Sequence, residues 1–227
     1  MERGGEAPAD STGLLSMTWP DSIPLPQLLR KTRILKHAFY ERPTVEVAQA
    51  LLGKVLVHGA LAGRIVETEA YLGVDDLAAH ASRGLTRRTR VLFGPAGHAY
   101  VYFVYGMHEC LNLVAESEGK PGCVLLRALE PLAGVEDMRT RRPAARHVED
   151  LASGPGKLTA AMGITRRRYG ADVTRGELTV RECLNAPPIE IETTARIGIR
   201  HCSDWPLRFL IAGNPFVSRS KPARPRA

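Results

Sequence analysis

The stretch GRIVETEAYLG, residues 63–73, alternates apolar and polar residues between two glycines and reads as a β-strand. In a strand, residues i and i+2 share a face. Glu67, Glu69 and Tyr71 therefore point one way, Val66 and Ala70 the other. Before it, TVEVAQALLGKVLVH (44–58) spaces Val45, Ala48, Leu51 and Leu52 as a helix does, stops at Gly53 and continues as a strand. After it, HAYVYFVYGM (98–107), CLNLVAES (110–117), GCVLLRALEP (122–131), ELTVREC (177–183), PIEIETTARIGI (188–199) and LRFLIAG (207–213) read as strands. GVEDMRTRR (134–142) and GPGKLTAAMGI (154–164) read as short helices, the second opening on Gly154-Pro155. Strands joined by short turns outnumber helices. We expect an α+β fold, one domain with a largely antiparallel sheet and a few packing helices, rather than a wound parallel sheet.

The chain has 227 residues, enough for one sizeable core. Its 31 Lys+Arg against 24 Asp+Glu give a net charge of +7, most of the cations being arginine. That balance favours a polyanion such as nucleic acid as partner. Cys110, Cys123, Cys183 and Cys202 form no CxxC pair, so a zinc site or disulfide framework is unsupported and free thiols in a reducing compartment are expected. Neither a secretory signal nor an apolar run long enough to span a membrane is present, so we expect a soluble, intracellular protein without a membrane partner. Residues 1–30 are assigned to a flexible N-terminal tail, 31–218 to the domain, and 219–227, with Arg219, Lys221, Arg224 and Arg226, to a basic tail.

Two carboxylates on one strand face raise each other's pKa, and Asp75, Asp76 and His80 follow within a few residues. Three readings compete. The plain one is a charged, solvent-facing strand edge. A second is a divalent-metal site from Glu67, Glu69, Asp75 or Asp76, and His80, suited to a metal-dependent nuclease. The third is general acid–base work at a glycosidic carbon, a carboxylate activating water against an oxocarbenium-like centre. Tyr71 and His80 beside the carboxylates favour the third, because flat rings suit a flat base.

RIVETEAYLG…AAH, GHAYVYFVYGMHECLN, VLLRALEPL and SGPGKL occur in that order. Together they resemble the alkyladenine (3-methyladenine) DNA glycosylase family, from about residue 36 to residue 218. The resemblance implies one domain around a curved antiparallel sheet, with no metal and no other cofactor. It implies a monofunctional glycosylase of base excision repair, working on double-stranded DNA that contains damaged purines such as 3-methyladenine, 7-methylguanine, hypoxanthine or ethenoadenine. The damaged nucleotide would be flipped out of the helix and its base released by water, leaving an abasic site. By motif, Glu69 is similar to the general base and Arg127 to the arginine that helps to hold the water. Tyr71, His80 and Tyr102 would enclose the base, and Asn112 would crowd the exocyclic amino group of normal guanine. Tyr105 matches the ring that fills the gap left in the stack. Glu67 receives no chemical role and reads as a salt-bridged structural carboxylate. A monomer is expected. Against this stand a metal-dependent nuclease and a non-catalytic nucleic-acid-binding module.

The chain departs from the family pattern after His80, where Arg87, Thr89 and Leu92 replace Pro, Asn and Met. The pocket wall and its adjoining loop are therefore expected to differ there, with consequences for lesion preference more than for catalysis. Among many basic candidates for phosphate contact are Arg141, Arg142 and Lys157, the last beside a Gly-Pro-Gly turn that bares backbone N–H groups. Along AYVYFVYGM (99–107), Tyr100 and Tyr102 fall on one face, Phe103 and Tyr105 on the other. Gly106 turns the chain into a protruding hairpin with Tyr105 near its tip. Phe103 is expected in the core, and Tyr100 is left between core and support.

Overall fold

The computed structural model of the protein describes residues 23–104 and 106–219. Within them, helices α1 (Leu25–Arg30), α2 (His37–Tyr40), α3 (Thr44–Leu51), α4 (Val135–Arg141) and α5 (Pro155–Met162) pack around one antiparallel sheet. Its strands are β1 (Thr32–Ile34), β2 (Val55–His58), β3 (Leu61–Tyr71), β4 (Ala99–Val104), β5 (His108–Ala115), β6 (Gly122–Ala133), β7 (Leu178–Cys183), β8 (Ile191–Thr194) and β9 (Arg208–Ile211). The order is β1-β7-β2-β3-β6-β5-β4, with β9 on β3 and β8 on β9. The sheet is open, and α+β describes it.

Strand β3, the stretch that opens the sequence reading, is the hub. β6 runs along one edge for nearly its whole length, and the other edge is shared by β2 (at 61–64) and β9 (at 67–69). Register shifts around Ile65, Glu67 and Thr68 bulge the strand beside the carboxylates. Both faces are covered, so Glu67, Thr68 and Glu69 are all buried. On one side Thr68 Oγ1 donates to Ala48 O of α3 at 2.9 Å. On the other, Ser218 and the segment after β8 lie over the acids. Alternation here separates a hydrophobic core from a polar interior, not core from solvent.

The core joins α3, α4 and α5 to the sheet through Val47, Leu51, Ile65, Leu111, Leu126, Met138, Leu158 and Met162. The expected helices at 44–52, 134–142 and 154–164 form as α3, α4 and α5. Three features differ from expectation. Residues 23–30, assigned above to the tail, belong to the domain: Ile23 and Leu28 are buried with Val55, Val57, Ala62 and Leu132. Burying each of those two side chains contributes about 1.5–3 kcal/mol. Secondly, PIEIETTARIGI keeps strand pairing only over Ile191–Thr194, and the chain from Ala195 to Arg200 leaves the sheet.

The third concerns Phe103. β4 and β5 form the expected hairpin, Val104 opposite His108, with Gly106 at φ 68° in the turn. β4 is the edge strand and α5 packs on its neighbour β5, so Phe103 is 39 % exposed instead of core. Arg166 covers its ring at 4.7 Å. Tyr100, nearer the sheet, is fully buried.

Candidate active site

Glu67 and Glu69 are buried where water cannot solvate them, a large cost unless cations and donors replace it. Arg127 from β6 and Arg208 from β9 supply the cations, because the register sets both strands against this part of β3. Glu67 Oε1 accepts from Arg127 Nε (2.8 Å), Arg208 Nε (2.6 Å) and Ser218 Oγ (2.8 Å), and its Oε2 accepts from Ser218 N–H (2.7 Å). Burial pushes its carboxyl up, but Arg127 and Arg208 outweigh it and hold Glu67 below the usual range. Four hydrogen bonds, three on Oε1 and one on Oε2, hold Glu67, and it reads as a structural carboxylate.

Glu69 is held differently. Oε2 accepts from the Tyr71 hydroxyl at 2.9 Å, and Oε1 accepts from Ile197 N–H at 2.8 Å with Arg127 Nη1 3.2 Å away. Burial disfavours the Arg127 cation, yet the two glutamates together raise its pKa further. Tyr71 is raised well above the ordinary tyrosine value by burial and then by Glu69, so it keeps its proton and serves as donor.

In front of these groups opens a cavity of about 460 Å³. Tyr71, His80, Tyr102, Asn112, Arg127 and Lys157, drawn from β3, the turn after it, β4, β5, β6 and α5, all line it. Glu69 is not in the wall. It sits directly behind, bonded to Tyr71, Arg127 and Ile197, each of which is. The His80 and Tyr102 rings meet edge to face at 4.5 Å, and Tyr100 lies 5.2 Å from Tyr102. Tyr100 is thus support, its hydroxyl 2.8 Å from His80 Nδ1. Burial, then Arg88 and Arg83, push His80 down to about 4, and burial pushes Tyr100 up to about 12. Asn112, opposite Tyr100 in the β4–β5 register, is fixed by Nδ2 donating to Tyr100 O at 3.3 Å.

The first turn of α5 reaches the cavity because Gly156 lets it approach β5: a Cβ there would lie 2.9 Å from His108 Cβ. Gly154, Pro155 and Lys157 then form part of the wall, with Lys157 Nζ donating to Ser153 Oγ at 3.4 Å. Arg141 and Arg142 are not brought there. Arg141 packs on Gly163, at the opposite end of α5. Tyr105 lies outside the described residues. Of the departures after His80, none lines the cavity. Thr89 Oγ1 donates to Gly84 O at 2.9 Å, and Leu92 packs with Ala81 and Tyr100 behind the wall. These departures therefore lie in the loop adjoining the wall and not in the wall itself.

The sequence reading missed Ile197, Gly198 and Ile199, which complete the cavity. The signal was Gly198 breaking the alternation of a supposed strand. It also left Cys110 and His108 unassigned, both lining residues. The acids do not converge as a metal site would require. Asp76 is buried against Arg196, Asp75 is exposed, and among the described residues no group of three or more His, Cys, Asp or Glu could hold a metal ion.

The methylpurine-DNA glycosylase (MPG) family matches residues 38–215, more than three quarters of the chain. The chain belongs to the methylpurine-DNA glycosylase family. It is thereby a DNA glycosylase, a hydrolase of base excision repair. A relative from Methanocella arvoryzae is 50 % identical over 198 residues, covering 83 % of this chain and 98 % of its own. One from Methanoculleus marisnigri is 52 % identical over 191 residues, covering 82 % and 98 %. One from Legionella pneumophila is 44 % identical over 195 residues, covering 83 % and 100 %. Each carries "3-methyladenine DNA glycosylase" in its name. The matched span of this glycosylase contains Glu69, Arg127 and the whole cavity wall. No helix among the described residues is long and apolar enough to cross a membrane.

Proposed function

We propose that the protein is a monofunctional glycosylase that flips alkylated or deaminated purines out of duplex DNA and hydrolyses their N-glycosidic bond with water activated by Glu69. One observation carries the reading. A buried carboxylate, oriented by Tyr71, Ile197 N–H and Arg127, lies immediately behind an aromatic cavity with room for a base.

The flipped base stacks against Tyr71 on one side and His80 with Tyr102 on the other. Cationic bases such as 3-methyladenine and 7-methylguanine are drawn to electron-rich ring faces and leave readily as neutral molecules. Neutral lesions such as hypoxanthine and ethenoadenine take up a proton as they leave. We assign the Tyr100 proton to the bond with His80 Nδ1, which leaves His80 Nε2 as an N–H donor. Water, held by Arg127, loses its proton to Glu69. Its oxygen forms the bond to C1′ while the electrons of the C1′–N bond depart with the base. Asn112 crowds the amino group of normal guanine. Tyr105 fills the vacated place in the stack. Lys157 meets backbone phosphate at the rim, and Arg141 and Arg142, away from the cavity, serve more distant phosphates. The working form is a monomer, acting within the cell where its DNA is.

Base release over a panel of lesion-bearing duplexes, wild type against Glu69→Gln, is the test. Glu69→Gln should lower release by about 10²–10⁴-fold, the usual contribution of a general base, while affinity for an abasic duplex persists. Near-wild-type release by the variant would remove Glu69 from the mechanism. Lys157 in the wall favours a second reading, an amine that attacks C1′ and cleaves the strand. Borohydride trapping distinguishes the two: a covalent protein–DNA product supports the lysine, whereas strand breaks only after alkali support hydrolysis by water.

A further inference from the structure

We propose that the buried Asp76–Arg196 pair is the positioning device of the site, setting Tyr71, the turn to His80 and the Ile197 segment in register around Glu69. This rests on the function proposed above and assigns residues that neither touch the base nor bear on the water.

The two side chains are fully buried and joined as a fork, with Arg196 Nη2 2.9 Å from Asp76 Oδ1 and Nη1 on Oδ2. Each partner reaches a different part of the wall. Asp76 Oδ2 accepts from Leu72 N–H and Oδ1 from Ala78 N–H, both at 3.1 Å, while its carbonyl accepts from Ala79 N–H at 2.8 Å. Those bonds fix the turn that carries the chain from Tyr71 to His80. Arg196 Nη1 donates to Ala70 O at 3.1 Å, and its guanidinium lies 4.7 Å from the centre of the Tyr71 ring. It therefore backs the ring whose hydroxyl holds one oxygen of Glu69. The next residue, Ile197, gives its N–H to the other oxygen. One ion pair thus meets two of the three supports of Glu69 and two parts of the cavity wall.

Stability alone is a poor reason for such a pair, since buried ion pairs are often replaceable by apolar side chains of similar volume without loss. A rigid fork fixes distances that an apolar contact leaves loose, and small displacements of catalytic groups cost rate steeply. A lysine would keep the charge but lose the fork and the stacking.

Arg196→Met, Arg196→Lys and Asp76→Asn are compared with wild type on methylated duplex, measuring single-turnover base release, abasic-duplex affinity and melting temperature. We expect release to fall by about 100-fold in each folded variant, Arg196→Lys included, with abasic-duplex affinity unchanged. Wild-type release in a folded variant overturns the proposal. So does an equal fall in release and affinity, or failure of all three to fold, which would make the pair a determinant of the fold only. Glu69→Gln is run alongside. If Glu69→Gln is inactive while the Arg196 variants match wild type, the positioning role alone fails. If Glu69→Gln is itself active, the function proposed above fails first.

Discussion

Arg127 spans both acids of β3, with Nε 2.8 Å from Glu67 and Nη1 3.2 Å from Glu69. One guanidinium therefore neutralises a structural carboxylate and a catalytic candidate at once. Arg127→Met should leave two buried carboxylates short of a cation. We expect a loss of about 3–5 kcal/mol, the range for breaking a buried pair from one side, read by urea unfolding, together with loss of base release.

Glu67 and Asp76 both titrate below their ordinary values. For Glu67 burial opposes this and Arg127 and Arg208 prevail; for Asp76 burial opposes it and the bonds from Arg196 and Leu72 prevail. A depressed carboxylate contributes stability that is present above its unfolded value, 4.5 or 3.8, and is lost as pH falls through the folded value. Urea unfolding should show stability falling steeply below about pH 4. Glu67→Gln should lower stability at pH 7 and shallow that acid limb.

His80 adds a second limb at higher pH. Its folded value is about 4 against 6.5 for the free side chain, so between those values the unfolded chain binds the extra proton. Stability should therefore rise with pH from about 4 to 6.5 and then level off. His80→Gln should flatten this interval, checked by unfolding at pH 4.5, 5.5 and 7.

Phe103, at 39 % exposure, separates a surface ring from a core ring. Phe103→Ala should cost at most about 1 kcal/mol, against about 3–5 for a buried phenylalanine. A loss of the larger size would mean that the ring is packed after all.

Affinity for duplex DNA should fall linearly on a log–log plot against salt, with a slope of about −0.9 for each phosphate contacted. Lys157→Ala should reduce that slope by about one contact, while Arg166→Ala, already paired with Glu109 at 3.1 Å, should change it less. Equal slopes for Lys157→Ala and wild type would take Lys157 off the phosphate path.

Local sequence determined much here, because short-range physics carries it. Alternation marked β3 and most of the sheet, helical spacing marked α3, and the order of four motifs marked the family. Parity put Glu67, Glu69 and Tyr71 on one face, where Arg127 and the Tyr71 hydroxyl now meet them. Other properties depended on distant chain segments. Phe103 and Val101 share a face of the edge strand β4, and only tertiary packing decides that one is exposed and the other buried. The 195–200 segment follows β8 directly, yet β9, the strand that β8 pairs with, begins only at Arg208, opposite Thr194, so the pairing stops there. It lies instead over Glu69, tied by Arg196 to Asp76, 120 residues earlier. Tertiary structure alone decided which donors hold each acid. Four donors converge on Glu67 from β6, β9 and Ser218, and the Ile197 N–H reaches Glu69 across the fold. No local pattern encodes which distant partner reaches which carboxylate.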